Sequence, residues 1–180
     1  MFEENKKPAG KKPLRKITKQ RLKNIALYYL KRFDSSVDNL RQVLKRRTND
    51  FAYQNPDFDK FSAYEWIEEL LKEFEGYGYL NDERYAEIKI RGYLSAGKPE
   101  RYILGKMREK GIDENVVEKL LGEQEYDLYE MAMRIAKKKK IGPYRIEEER
   151  KDFWQKDMMK LVQAGFDYEV AKQVMETEGE

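Results

Sequence analysis

"GYLNDERYA", residues 78–86, sets a glycine, two apolar residues and an Asn-Asp pair ahead of a charged, aromatic run. Two shorter echoes follow, "KGIDENVVEKL" at 110–120 and "AGFDYEVAKQV" at 164–174. In each, a glycine suited to a left-handed helix C-terminus precedes an apolar residue that can fold back onto the helix just ended. Asn81, Asp113 or Asp167 then stands where a side-chain oxygen accepts from the free N–H groups of a new helix. The stretch therefore reads as a corner between helices, and Asp82 and Glu83 as first-turn acids rather than catalytic carboxylates.

Outward from these corners the periodicity is helical. Leu22, Ile25, Ala26, Tyr29, Leu30 and Phe33 recur at spacings of three and four, predicting a helix from Thr18, its N-cap, to Phe33. Asp34-Ser35-Ser36 breaks and recaps the chain, and Val37, Leu40 and Leu44 line a second helix. After a loop around Asn55-Pro56, Ser62 is the expected cap of a third helix, with Glu65 closing a capping box and Tyr64, Ile67, Leu70, Leu71 and Phe74 inward. A small residue, Ala26, Ala86 or Ala132, sits on the apolar stripe of the first helix in each unit. The expectation is an all-α chain: a basic N-terminal tail at 1–17, then three tandem three-helix-bundle repeats at 18–77, 78–124 and 125–180, forming an elongated, curved molecule. The Gly142-Pro143 pair interrupts a helix in the third.

Composition excludes several functions. The 180 residues contain no Cys and no His, which removes disulfides, Cys- or His-based zinc sites and His-dependent catalytic triads. The glycines are isolated and form no phosphate loop or dinucleotide fingerprint. Glu65, Glu69 and Glu73 have the i, i+4 spacing of a solvated helix face rather than a metal site. No apolar run reaches the roughly 18 residues a membrane span requires, so a cytoplasmic protein is expected. No catalytic, cofactor-binding or metal-binding residue is nominated, and no enzyme is expected.

Charge is unevenly distributed. Residues 1–50 hold 15 Lys and Arg against 5 Asp and Glu, net +10, leaving 22 against 29, net −7, for the other 130. Such polarity suits contact with a polyanion or an acidic protein surface. Candidate contacts are Arg41, Lys45, Arg46 and Arg47 on the second helix, and Arg84, Arg91, Lys98, Arg101, Lys106 and Arg108 in the second unit, interleaved with tyrosines. Tyr85 and Tyr93 are read as core. Lys137, Lys138, Lys139 and Lys140 form the densest run, at a helix end where the dipole alone favours cations.

The order of motifs, G-Y-L-N-D-E-R-Y-A from Gly78, I-x3-M-x2-K-G-I from Ile103 and L-x3-G-F from Leu161, together with the upstream Ala26, Tyr29, Leu30, Ser36, Leu40 and Leu44, resembles the RecX family of regulatory proteins over residues 22–175. Asn39 departs from the family's Glu in an S-x-x-E-L box, Asn81 from the first Asp of its Asp-Asp pair, and the aromatic loop 50–61 is longer. The resemblance implies a monomer that lies in the groove of a RecA recombinase filament on single-stranded DNA and modulates it, most plainly by inhibition, in recombination and the SOS response. Contact with single-stranded DNA itself is expected to be weak and non-specific. The alternative is a helical DNA-binding protein that acts without RecA through the Arg41–Arg47 face.

Overall fold

The structure is a computed structural model that describes residues 14–178. Most of the expected basic tail therefore lies outside the described residues. Nine α-helices and no strand occur among the described residues: α1 (Lys19–Leu30), α2 (Val37–Gln54), α3 (Lys60–Gly76), α4 (Asp82–Ser95), α5 (Glu100–Arg108), α6 (Glu114–Gly122), α7 (Leu128–Lys139), α8 (Arg150–Ala164) and α9 (Tyr168–Glu176). Two short 3-10 turns, Gly142–Tyr144 and Glu147–Glu149, join α7 to α8. The chain divides into two compact units, one running to Phe33 and then over Leu40–Tyr79, the other comprising Asp34–Asn39 with Leu80 onward.

In the first unit Thr18 caps α1, its hydroxyl accepting from Arg21 N. The helix ends at Leu30, short of the expected Phe33, which is 55% exposed although its ring still meets that of Tyr29 at 5.1 Å. Leu22, Ala26, Leu40, Leu44, Ile67, Leu70, Leu71 and Phe74 are buried as their spacing requires. The cap of α3 is Asp59 rather than Ser62. Its carboxylate accepts from the Ser62 hydroxyl and from the Phe61 and Ser62 amides, which together hold it below the usual carboxylate range. Ser62 thus becomes a donor inside the first turn, and the supposed Glu65 box does not form. The acidic face of α3 is also not simply solvated: Glu69 and Glu73 pair with Lys19 and Lys23, which lie one turn apart on α1.

In the second unit the cores of α4–α6 and of α7–α9 each form a cluster, and Leu94 and Tyr126 pack against both. Ala86 and Ala132 are fully buried, allowing close approach at the stripes where they were expected. The corners use one geometry. Gly78, Gly111 and Gly165 have φ of 73°, 68° and 107°. In each case the glycine N–H bonds three residues back, to Glu75, Arg108 or Val162 O, and the next N–H bonds five back, to Phe74, Met107 or Leu161 O. Leu80, Ile112 and Phe166 are buried behind them. Asn81 and Asp113 cap the following helices through their side chains, whereas Asp167 makes no side-chain cap bond. Two further corners share the pattern, at Gly97 and, with a lysine in the left-handed position, at Lys140 (φ 52°).

Asp82 and Glu83 both have partners within the fold. Asp82 Oδ1 accepts from Val37 N at 2.8 Å and so holds the fold, while Glu83 pairs with Lys119 at 2.9 Å on the surface. The segment 34–39 is bound in further by Ser36 Oγ, which donates to Lys110 O at 2.6 Å. Asn39 takes up the role of a linker: its amide N–H₂ donates to Ser35 Oγ and its oxygen accepts from Lys110 Nζ at 2.8 Å. A glutamate there would serve as acceptor for Lys110 but could not donate to Ser35.

Candidate nucleic-acid interface

On α2 the four candidate cations fall into two pairs with different surroundings. Arg41 Nε donates to both oxygens of Glu68, at 2.9 and 3.2 Å, and Lys45 lies 3.8 Å from the same carboxylate and 5.2 Å over the Tyr64 ring. Arg46 and Arg47 are exposed and form no ion pair among the described residues. One carboxylate therefore serves half of the basic face, and the outer half keeps its charge for solvent or a ligand. That division follows from α3 lying beside α2, which local spacing does not reveal.

In the second unit the structure joins two of the candidates to a tyrosine. Lys98, just before α5, and Lys106, one turn after Tyr102, flank the Tyr102 ring at 4.8 and 5.9 Å, and Tyr93 meets that ring edge-on at 5.6 Å. Lys106 also donates to Glu109, and that bond raises its pKa above the ordinary lysine value. Tyr85 is buried, with Lys89 5.4 Å over its ring, while Tyr93 is half-buried against the α4–α6 core. Arg101 and Arg108 line one groove of about 600 Å³ together with Glu100, Glu114 and Asp167. Arg108 is paired to Glu114 at 2.9 Å there, so that groove is of mixed charge. Arg84 is exposed at the start of α4, and Arg91 pairs one turn back with Glu87 at 2.7 Å. Exposed pairs of this kind contribute little and exchange readily for a phosphate.

Lys137–Lys140 are all exposed, with no ion pair among the described residues. Lys137 lies 5.6 Å over the Tyr144 ring. The loop after them is held by Asp157, whose burial pushes its pKa up but whose bonds from Arg145, Lys160 and Gly142 N outweigh that and leave it lowered. Three residues absent from the sequence reading also belong to a basic surface: Arg21 and Tyr28, two turns apart on α1, and Arg32 in the turn just after it. The seven-residue spacing of Arg21 and Tyr28 sets them on one helix face, apart from the buried stripe of Leu22 and Ala26.

The described residues contain no group of three or more His, Cys, Asp or Glu side chains placed to hold a metal ion, and no helix long and apolar enough to cross a membrane. Helices joined at glycine corners, with cations displayed on several faces, define an all-helical protein of repeated helical units. The segment 81–121, spanning α4–α6, matches the family description "RecX, second three-helix domain". Over 97% of its length the chain is 34% identical to a regulatory protein RecX of Myxococcus xanthus, covering 94% of that relative. It is 30% identical over 84% of its length to one from Streptococcus uberis, of which it spans 53%. A crystal structure of RecX from Lactobacillus salivarius shares the fold at a TM-score of 0.60 and 20% identity, over 87% of this chain and 94% of that one. The chain belongs to the RecX family of regulatory proteins.

Proposed function

We propose that this protein binds the RecA filament on single-stranded DNA and restrains it, lowering ATP hydrolysis, strand exchange and repressor cleavage. The observation that carries the reading is the 34% identity with a regulatory protein RecX across 97% of the chain. It acts as a cytoplasmic monomer built from three three-helix repeats, 18–77, 78–124 and 125–180, behind a basic tail at 1–17. Contacts are distributed: Arg46 and Arg47 from the first repeat, the Lys98–Lys106 face with Arg84, Arg91, Arg101 and Arg108 from the second, and Lys137–Lys140 from the third. Many modest contacts along a filament combine by effective concentration, so no single one is indispensable. A recognition helix acting without RecA is less well supported, because Glu68 neutralises Arg41 and Lys45 on the face that would enter a groove.

The test is ATP hydrolysis by the host's own RecA on single-stranded DNA, titrated with wild type and with Arg46→Glu/Arg47→Glu. Wild type should inhibit, and the double reversal should weaken inhibition at unchanged helical content. A folded wild type without effect on RecA overturns the reading; an unaffected double variant removes these two arginines from the interface.

A further inference from the structure

A groove of about 520 Å³ lies in the first unit, lined by Thr18, Gln20, Arg21, Asn24, Ile25 and Tyr28 of the α1 region and by Arg47 of α2. Its lining holds two arginines, two side-chain amides, a hydroxyl and a tyrosine, and no carboxylate. Arg47 is exposed and has no ion pair among the described residues. Arg21 has none either, and its Nε is buried without a hydrogen-bond partner. Two guanidinium groups facing one concavity repel each other unless an anion joins them, and the described residues supply none here.

The tyrosine narrows the kind of anion. Tyr28 is 60% exposed, and Arg32, in the turn after α1, sets its guanidinium 4.6 Å from the ring centroid. A large, exposed aromatic ring backed by a cation and opening onto a cationic groove is a platform for another flat π-system. Gln20 Nε2 donates to Asn24 Oδ1 at 3.0 Å, which leaves Gln20 Oε1 as an acceptor and Asn24 Nδ2 as a donor for the edge of such a ring. Inorganic phosphate would leave the ring unused, and an acidic peptide would have no flat group for it. A duplex keeps its bases stacked inside.

We infer that this groove is a binding site for single-stranded nucleic acid, in which Arg21 and Arg47 hold backbone phosphates and an unstacked base lies on Tyr28. The site needs no second protein, so it stands or falls separately from the RecA reading. It also gives α1 a role that the basic face of α2 alone does not have. Affinity is modest, since one stacked base and two phosphates are few contacts, and a longer strand adds only non-specific charge.

Fluorescence anisotropy of a labelled 20-residue oligothymidylate with the full chain, and no other protein, tests it. Tyr28→Ala should weaken binding about tenfold, in the range that loss of one base–aromatic stack produces, while Tyr28→Phe, which keeps the ring, stays within about twofold. Arg47→Ala should lower the slope of log affinity against log salt by about 0.7, one single-strand phosphate contact. An abasic strand of the same length should bind less tightly and ignore Tyr28→Ala. Because Tyr28 is exposed, melting of each variant should match wild type; should Tyr28→Ala melt early, the comparison of thymidylate with abasic strand on wild type and Tyr28→Phe decides instead. Three results would overturn the assignment: indifference of the oligothymidylate to Tyr28→Ala in a folded variant, equal affinity of wild type for the abasic strand, or equally tight binding of a labelled polyglutamate, which would make the groove an acidic-peptide site.

Discussion

Arg145 grips Asp157 with two parallel bonds, Nε to Oδ2 at 2.7 Å and Nη2 to Oδ1 at 3.0 Å, and so ties the α7–α8 connection to the middle of α8. Asp157 is 1% exposed and also accepts from Lys160 and from Gly142 N, while Arg145 lies 4.3 Å over the Phe153 ring. Arg150 fastens the same loop through the carbonyls of Pro143 and Arg145. Removing Asp157 leaves all three of its donors without their acceptor. Asp157→Ala should cost about 3 kcal/mol, the low end for a broken buried pair because Arg145 keeps Glu149 at 3.1 Å. Thermal or urea unfolding checks this; a melting midpoint equal to wild type would mean that the loop holds without the pair.

The same carboxylate sets an acid limit. Its folded pKa lies below the ordinary value of 3.8, so its contribution is complete above the unfolded pKa and is lost as pH falls through the lower folded value. The stability difference between wild type and Asp157→Ala should therefore be constant from neutral pH down to about 5 and shrink below about 4. A difference that grew on acidification would contradict the sign of the shift.

Two corner glycines are alike in φ and unlike in surroundings. A Cβ on Gly78 would meet nothing within 4 Å, whereas one on Gly111 would lie 2.4 Å from Asp38 Cβ, an atom too close to its own backbone to swing away. Gly78→Ala should cost only the left-handed strain, about 1 kcal/mol. Gly111→Ala should add an overlap of about 1–3 kcal/mol. Equal melting shifts for the two would show that the segment around Asp38 gives way freely.

Lys140 occupies the position that glycine holds at the other corners, with φ 52° and its N–H bonded to Lys137 O. Lys140→Gly should relieve that strain and raise stability by about 0.5–1 kcal/mol, net of the greater freedom glycine has in the unfolded chain. Differential scanning calorimetry should show a higher midpoint; a lower one would mean that the lysine side chain stabilises the corner by more than its backbone strain costs.

The corners were legible in the sequence because a left-handed glycine, a buried apolar residue and a cap are all fixed within six residues of one another. Asn81 and Asp113 behave as that local grammar requires. The misreadings arose where two local choices were nearly equivalent: Asp59 and Ser62 are both good caps, and the aspartate prevails by taking the serine as its donor. Asp167 has the right residue in the right place but makes no cap bond. The surroundings of the basic residues were not legible at all. Glu68 is 27 residues from Arg41 and Glu73 is 50 from Lys23, so which cations are neutralised depends on helix packing rather than spacing. The groove formed by Arg21, Tyr28 and Arg47 needs α1 and α2 side by side for the same reason.

That division of the α2 cations yields the last prediction. Arg46→Glu/Arg47→Glu changes side chains with no ion pair among the described residues, and its melting midpoint should equal that of wild type. Arg41→Glu/Lys45→Glu instead sets two new carboxylates against Glu68, half-buried on α3, turning an attractive cluster into a repulsive one. Its cost should be about 1–2 kcal/mol, more than an exposed pair contributes because the Arg41–Glu68 hydrogen bonds are lost as well as the charge. Adding Glu68→Arg to that double variant restores opposite charges with their positions exchanged, and should recover at least half of the loss. Without that recovery, the destabilisation would have to come from the packed stems of Arg41 and Lys45 rather than from their charges. A reversal of all four cations together would confound stability with binding, so the outer pair alone is the variant that reads an interface.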